Sequence, residues 1–190
     1  MSNGPLYAMG GAHPNALDGF ATGKRGPERP QEILTPQVVV DFVRLAMDSE
    51  IEFDPCAALD PETGFPRGVV GADYYCYETS SPHGLETKWL HGTYCNPPFK
   101  HLKAWLAKAV SEASDYSRPA ITVLAPTRGH RPWFREARAE ALRNGFVLEL
   151  NPIAFLGYEQ VFPAPLSLLA FNCGLTIEAR KAGLRLGGFL

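Results

Sequence analysis

The sequence predicts an α/β protein built on a doubly wound sheet. Three observations carry that expectation. Apolar segments of strand length alternate with segments whose apolar residues recur every three or four positions. No internal repeat is present, which sets aside solenoid architectures. The 190 residues allow one domain with a full core but not two large ones. An apolar content of 45% and a charged content of 20% are ordinary for a globular chain. A net charge of -2 exerts no overall pull on nucleic acid, so any such partner has to be argued from local patches.

Residues 1–31 are rich in Gly, Pro, Asn and Ala without an apolar period, and read as a flexible N-terminal arm. Its Lys24, Arg25 and Arg29 suit phosphate contacts, although a solvated tail is the preferred reading. A catalytic domain is expected over 32–175 and a C-terminal tail over 176–190. Thr35 followed by Pro36 is a helix start, with Thr35 as N-cap and Pro36 at the first helical position. Val39, Phe42, Val43 and Ala46 then give one apolar face through about Met47. Ile51–Asp54 reads as a short strand ending in an acid, followed by Pro55 and the small residues Cys56, Ala57 and Ala58. That arrangement is where an open α/β sheet holds a nucleotide-like ligand.

Residues 59–68 carry Pro61, Gly64 and Pro66 and should be loop, with a second strand over Val69–Tyr75. Residues 77–91 are polar and turn-rich apart from Trp89 and Leu90. Thr93-Tyr94-Cys95 is strand-like and has to stop at Pro97-Pro98, because two consecutive prolines offer no N–H and both fix φ. Leu102, Trp105, Leu106, Ala109 and Val110 mark an amphipathic helix ending near Ser114. Ala120–Pro126 is a buried-type strand, Pro132 opens a helix, and Asn144-Gly145 is a C-cap pair. Phe146–Leu150 and Leu166–Phe171 close the sheet.

The diproline corner also has chemistry. Asn96 brings an amide that can accept hydrogen bonds from an amino group, and Phe99 brings a ring that can stack on a flat base. Asn-Pro-Pro-Phe resembles the catalytic motif of amino-methyltransferases, above all those that act on adenine N6 in DNA. Other landmarks agree in order: Thr35-Pro36-Gln37-Val38-Val39, Phe53-Asp54-Pro55-Cys56-Ala57, Gly84-Leu85 with Trp89, Trp105 and Lys108. Leu124-Ala125-Pro126-Thr127, Trp133-Phe134 and Phe162-Pro163-Ala164-Pro165-Leu166 complete the set. Over roughly residues 33–173 the chain is similar to the small phage-type DNA N6-adenine methyltransferase (Dam-like) family. There are two departures. Cys56-Ala57-Ala58 stands where such enzymes commonly carry Gly-x-Gly, and His83 precedes Gly84 where similar sequences often have Asp.

The resemblance implies a Rossmann-like methyltransferase fold with a mixed sheet and an antiparallel last strand, S-adenosylmethionine as donor, and DNA adenine as acceptor. It implies Asn96, Pro97, Pro98 and Phe99 as the catalytic set. The Asn96 amide oxygen and the Pro97 carbonyl would accept the amine's two hydrogens and localise its lone pair. Phe99 would stack on an adenine flipped from the duplex, with core packing as its plainer reading. Thr35, Pro36, Asp54, Pro55, Cys56, Ala57 and Asn96 would meet the cofactor, with Asp73 or Glu78 at its ribose. For Asp54, Asp73 and Glu78 an ordinary surface role competes. Lys100, Arg128, His130, Arg131 and Trp133, near Phe134, Arg135 and Arg138, suit DNA phosphates and bases, or equally a solvated helix face. An RNA or protein-amide methyltransferase and a non-catalytic nucleic-acid-binding relic are the competing readings. Cys56, Cys76, Cys95 and Cys173 lack Cys-x-x-Cys spacing, so reduced thiols in a cytoplasmic protein are expected, and no metal site or membrane span is.

Overall fold

In the computed structural model, which describes residues 34–60, 62–63, 65–77, 83–156 and 160–190, the first helix, α1, spans Gln37–Met47. The arm at 1–31 with Lys24, Arg25 and Arg29, and also Glu78, lie outside the described residues. Helix α1 forms because its apolar residues fall on one face, burying Val39, Val40, Phe42, Val43, Ala46 and Met47. Its start differs from expectation by one residue. Pro36 is the N-cap, and its carbonyl accepts from the N–H groups of Val39 and Val40. The Thr35 hydroxyl is therefore released from capping and turns elsewhere.

Strands β1 (Phe53–Asp54) and β2 (Tyr74–Tyr75) are shorter than the sequence suggests, and β3 is Thr93–Cys95. Val69 and Val70, expected in β2, instead pack against the core as irregular backbone. The turn Gly71, at φ 61, separates them from the strand. After the diproline corner a single 3₁₀ turn, Phe99–His101, leads into α2 (Leu102–Ala113). Then come β4 (Ile121–Pro126), α3 (Pro132–Asn144), β5 (Gly145–Leu150) and β6 (Leu166–Phe171).

Gly145 does not cap α3 in the left-handed conformation. It is extended, at φ -170, and a Cβ there would lie 2.3 Å from the Ala170 carbonyl oxygen. Glycine is required by close strand approach rather than by a positive φ.

The segment expected as a tail is part of the fold. α4 (Ile177–Leu186) starts at Thr176, whose hydroxyl accepts from the Ala179 N–H at 3.1 Å. β7 (Gly187–Phe189) follows at once and pairs antiparallel with β5. Burial explains why: Ala179 and Leu186 are covered, and the Phe189 ring meets those of Phe42 and Phe146.

The seven strands run in the order β2-β1-β3-β4-β6-β5-β7. Strands β2, β1, β3 and β4 are mutually parallel, whereas β6 is antiparallel to both its neighbours. This is an α/β fold with a mixed sheet. Residues alternate between two cores: Tyr94, Leu124, Leu148 and Leu168 join α1 and the Phe42 side, while Cys95, Val123, Val147 and Leu169 join Trp89, Trp105 and Phe134. Both faces of the sheet are thus covered. No helix among the described residues is long and apolar enough to cross a membrane. Strand order positions the site, because β1 leads to β2 on one side and β3 then lies on its other side. Open α/β sheets leave a crevice at such a reversal, outside the carboxyl ends of the two strands. Those ends carry Asp54 and Asn96.

Candidate functional site

A cavity of about 600 Å³ occupies this crevice, within the range of small-molecule sites. It is lined by the polar residues Thr35, Asp54, Tyr94 and Asn96 together with Tyr77, His83, Leu85, His101 and Trp105. Residues 56–59 and 67–70 complete the wall. The Leu59–Pro66 bridge closes that loop on itself, and Arg44 fastens it to α1 by donating from Nη2 to the Val70 carbonyl at 3.0 Å.

Asp54 is the unusual group. It is only 9% exposed, and its Oδ1 accepts the Cys56 N–H at 3.0 Å. Burial pushes its carboxyl up to about 7, and the Cys56 N–H offsets only part of that rise. No salt bridge joins Asp54 to a cation among the described residues. An acid walled into a cavity in this way favours a positively charged occupant.

Gly84 lies against the same corner, where a Cβ would stand 1.8 Å from the Pro55 carbonyl oxygen. Trp89 Nε1 in turn donates to the Gly84 carbonyl at 2.8 Å, tying the 83–89 turn to the core. Cys56 and Cys95 bring their Sγ atoms to 3.5 Å across β1 and β3, both as free thiols. Burial pushes each thiol up, so neither is an activated nucleophile.

Asn96 extends its side chain into the cavity wall, with Nδ2 donating to Thr35 Oγ1 at 3.3 Å. Pro98 also lines the cavity, whereas Pro97 is buried behind it. Phe99 is half-buried and is not among the lining residues. Its ring stands edge-on to Phe162, with centroids 5.6 Å apart. Of the expected cofactor residues, Thr35, Asp54, Cys56, Ala57 and Asn96 come together around one space. Pro36 and Pro55, expected with them, are not among the lining residues. Asp73 does not join them: it is exposed ahead of β2, away from the lining, because the chain between Gly71 and Tyr74 turns outwards.

The basic residues sit along the same carboxyl-terminal edge. Lys100 is exposed on the turn after Phe99, and Arg128, His130 and Arg131 follow the end of β4, beside β3. Arg128 is pushed down by partial burial and by the neighbouring Arg131 cation. Trp133 is half-buried and edge-on to the core residue Phe134, at 6.1 Å. Loop 127–131 is held from below by a polar cluster. Thr127 Oγ1 lies 2.6 Å from Ser167 Oγ, and both hydroxyls reach the Glu149 carboxylate at 3.0 Å.

Sequence reasoning missed Tyr77, Tyr94, His101 and Arg67 as lining residues. Only Tyr94 carried a local signal, since it shares a strand face with Asn96 two positions later. Tyr77 and Arg67 arrive through irregular backbone whose course no periodicity encodes, and His101 through the short 3₁₀ turn after the diproline corner. No protein-family model, curated protein or solved structure matches the chain.

Proposed function

We propose that the chain is an S-adenosylmethionine-dependent methyltransferase acting on adenine N6 in DNA, on a base flipped into the Asn96 corner. The observation that carries this reading is that one continuous cavity joins the buried Asp54 carboxylate to the Asn96 amide. The two lie at the ends of neighbouring parallel strands, β1 and β3. The residues fit the cofactor. Asp54 would take its ammonium group, Cys56 and Ala57 leave room beside the chain, and the lining rings of Tyr77 and Trp105 suit a flat purine. When bound, S-adenosylmethionine supplies an electrophilic methyl group on a sulfonium centre.

The residues' own work concerns the amine. Its lone pair is delocalised into the purine ring and is a poor nucleophile. Asn96 Oδ1 and the Pro97 carbonyl accept its hydrogens and draw that lone pair out of conjugation, towards the methyl donor. The diproline corner holds both oxygens in place without reorganisation, which is where the rate gain lies. The amine would take the methyl group as the methyl–sulfur bond breaks, the bonding pair staying on sulfur, and would pass one proton to water, so no strong base is needed. Phe99, braced by Phe162, offers a ring to stack on the extruded base, returning about 1–3 kcal/mol against the cost of flipping. The basic residues 128–131 meet the flanking phosphates.

Tritiated methyl transfer onto unmethylated DNA, RNA and protein tests this. Label in DNA as N6-methyladenine is the expected result. Label in RNA or protein alone would transfer the same amine chemistry to another acceptor, and no S-adenosylmethionine binding would leave only the non-catalytic reading.

A further inference from the structure

We infer that His83 reads the cofactor's purine as a hydrogen-bond donor, so that the cavity holds this base by an acceptor edge and does not demand its amino group. The inference rests on the functional reading above and deepens it. His83 lines the cavity with Tyr77, Leu85 and Trp105. Its ring lies 5.5 Å from that of Trp105, centroid to centroid, tilted by 48°. Trp105 is 2% exposed and is held in the core. The backbone of His83 is pinned as well. Its carbonyl accepts the N–H groups of Glu86 and Thr87, at 2.7 and 3.0 Å, and the Thr87 hydroxyl at 3.1 Å. The imidazole is thus oriented by the protein alone.

The direction of its hydrogen bonding follows from the chain. The Leu85 N–H, which can only donate, gives its hydrogen to His83 Nδ1 at 3.2 Å. A ring nitrogen that accepts carries no hydrogen, so the neutral imidazole keeps its hydrogen on Nε2. Nε2 sits on the ring edge farther from the backbone and is the polar atom left for an occupant of the cavity. As an N–H it can give a hydrogen to a purine ring nitrogen or to a carbonyl, and it has nothing to offer an amino group. The neighbouring groups do not reverse that preference. On the reading above, Asp54 is committed to the ammonium and Asn96 to the substrate amine. The His83 carbonyl is already taken by the Glu86 and Thr87 donors, and the Tyr77 hydroxyl can rotate to suit either partner. Adenine and hypoxanthine differ by an amino group against a carbonyl. A carboxylate in place of His83 would favour the first and repel the second, whereas Nε2–H accommodates both.

Calorimetry at pH 8 with S-adenosyl-L-homocysteine and S-inosyl-L-homocysteine tests this. The wild-type protein should bind the inosyl compound at least within about threefold of the adenosyl one. His83→Asp keeps an oxygen for the Leu85 N–H but presents acceptors only. It should prefer the adenosyl compound by about tenfold or more, the scale of one unpaired buried polar group. A readout independent of affinity is the His83 imidazole in a long-range ¹H–¹⁵N spectrum, identified by its loss in His83→Asn, whose amide oxygen also accepts from Leu85. The expected pattern is hydrogen on Nε2 and none on Nδ1, with the Nε2 resonance moving when either compound is added. A wild-type preference for the adenosyl compound of about tenfold or more overturns the inference and leaves the methyltransferase reading standing. So does the same preference in wild type and His83→Asp, or a ring with its hydrogen on Nδ1. Should neither compound bind, the functional reading falls, and adenosine and inosine put the same question to the cavity. Comparable binding of the two then upholds the donor role, and binding of adenosine alone, or of neither, overturns it.

Discussion

Replacing Asp54 by Asn separates stability from binding with opposite signs. The folded protein holds this carboxyl at about 7 against an ordinary value of 3.8. Because the folded value is the higher one, the unpaired charge costs nothing below pH 3.8, and the cost grows as pH rises. It is complete above about pH 7. The span between the two values corresponds to at most about 4 kcal/mol at roughly 1.36 kcal/mol per pH unit. Asn keeps an oxygen for the Cys56 N–H and removes the charge. Asp54→Asn should therefore be more stable than wild type at pH 8, by up to that amount. At pH 4 the two should converge. Urea denaturation at the two pH values measures this. The same variant should bind S-adenosylmethionine more weakly by calorimetry, since the cofactor's ammonium loses its counter-charge. A variant destabilised at pH 8, or one binding as tightly as wild type, would refute the idea that Asp54 is an acid awaiting a cation.

The same carboxyl makes cofactor affinity pH-dependent. Below about pH 7 it must lose a proton to bind an ammonium, so affinity should fall up to about tenfold per pH unit on acidification. A flat profile between pH 5.5 and 8 by calorimetry would rule that out. Asn96→Ala should abolish methyl transfer while retaining cofactor binding, and near wild-type turnover would remove Asn96 from the chemistry. Removing the charges of Arg128 and Arg131 should weaken DNA binding and lower the salt slope by about one per lost phosphate contact. An unchanged slope in a fluorescence titration would return them to a solvated surface. Gly84→Ala should misfold or displace the Asp54-Pro55 corner, because the added methyl meets a backbone oxygen at 1.8 Å. Wild-type melting and cofactor affinity in that variant would contradict the packing described.

Much of the fold and part of the site are legible in the sequence, for reasons visible in particular residues. The period of Val39, Phe42 and Val43 marks α1, and Pro97-Pro98 marks the end of β3, because both signals are local. Asp54 and Asn96 are recognisable as strand-end residues from their immediate neighbours alone, and the strand order sets both beside one cavity. What is not legible depends on distant partners. α4 and β7 are hidden behind Gly187-Gly188 and an Arg- and Lys-bearing helix, and they are stable because Phe189 reaches Phe42 and Phe146. Thr35 looks like a cap, and its true partner, Tyr94, is 59 positions away. Asp73 looks like a ribose ligand by its place near a second strand, but that strand is two residues long and leaves it outside the cavity.

The most direct measurement of the central claim is digestion and mass spectrometry of unmethylated DNA incubated with the protein and S-adenosylmethionine, alongside the Asn96→Ala variant. N6-methyladenine formed by the wild-type protein and absent with the variant is the expected result. Wild-type protein that binds the cofactor yet leaves every adenine unmodified, or a variant that methylates equally well, would contradict it.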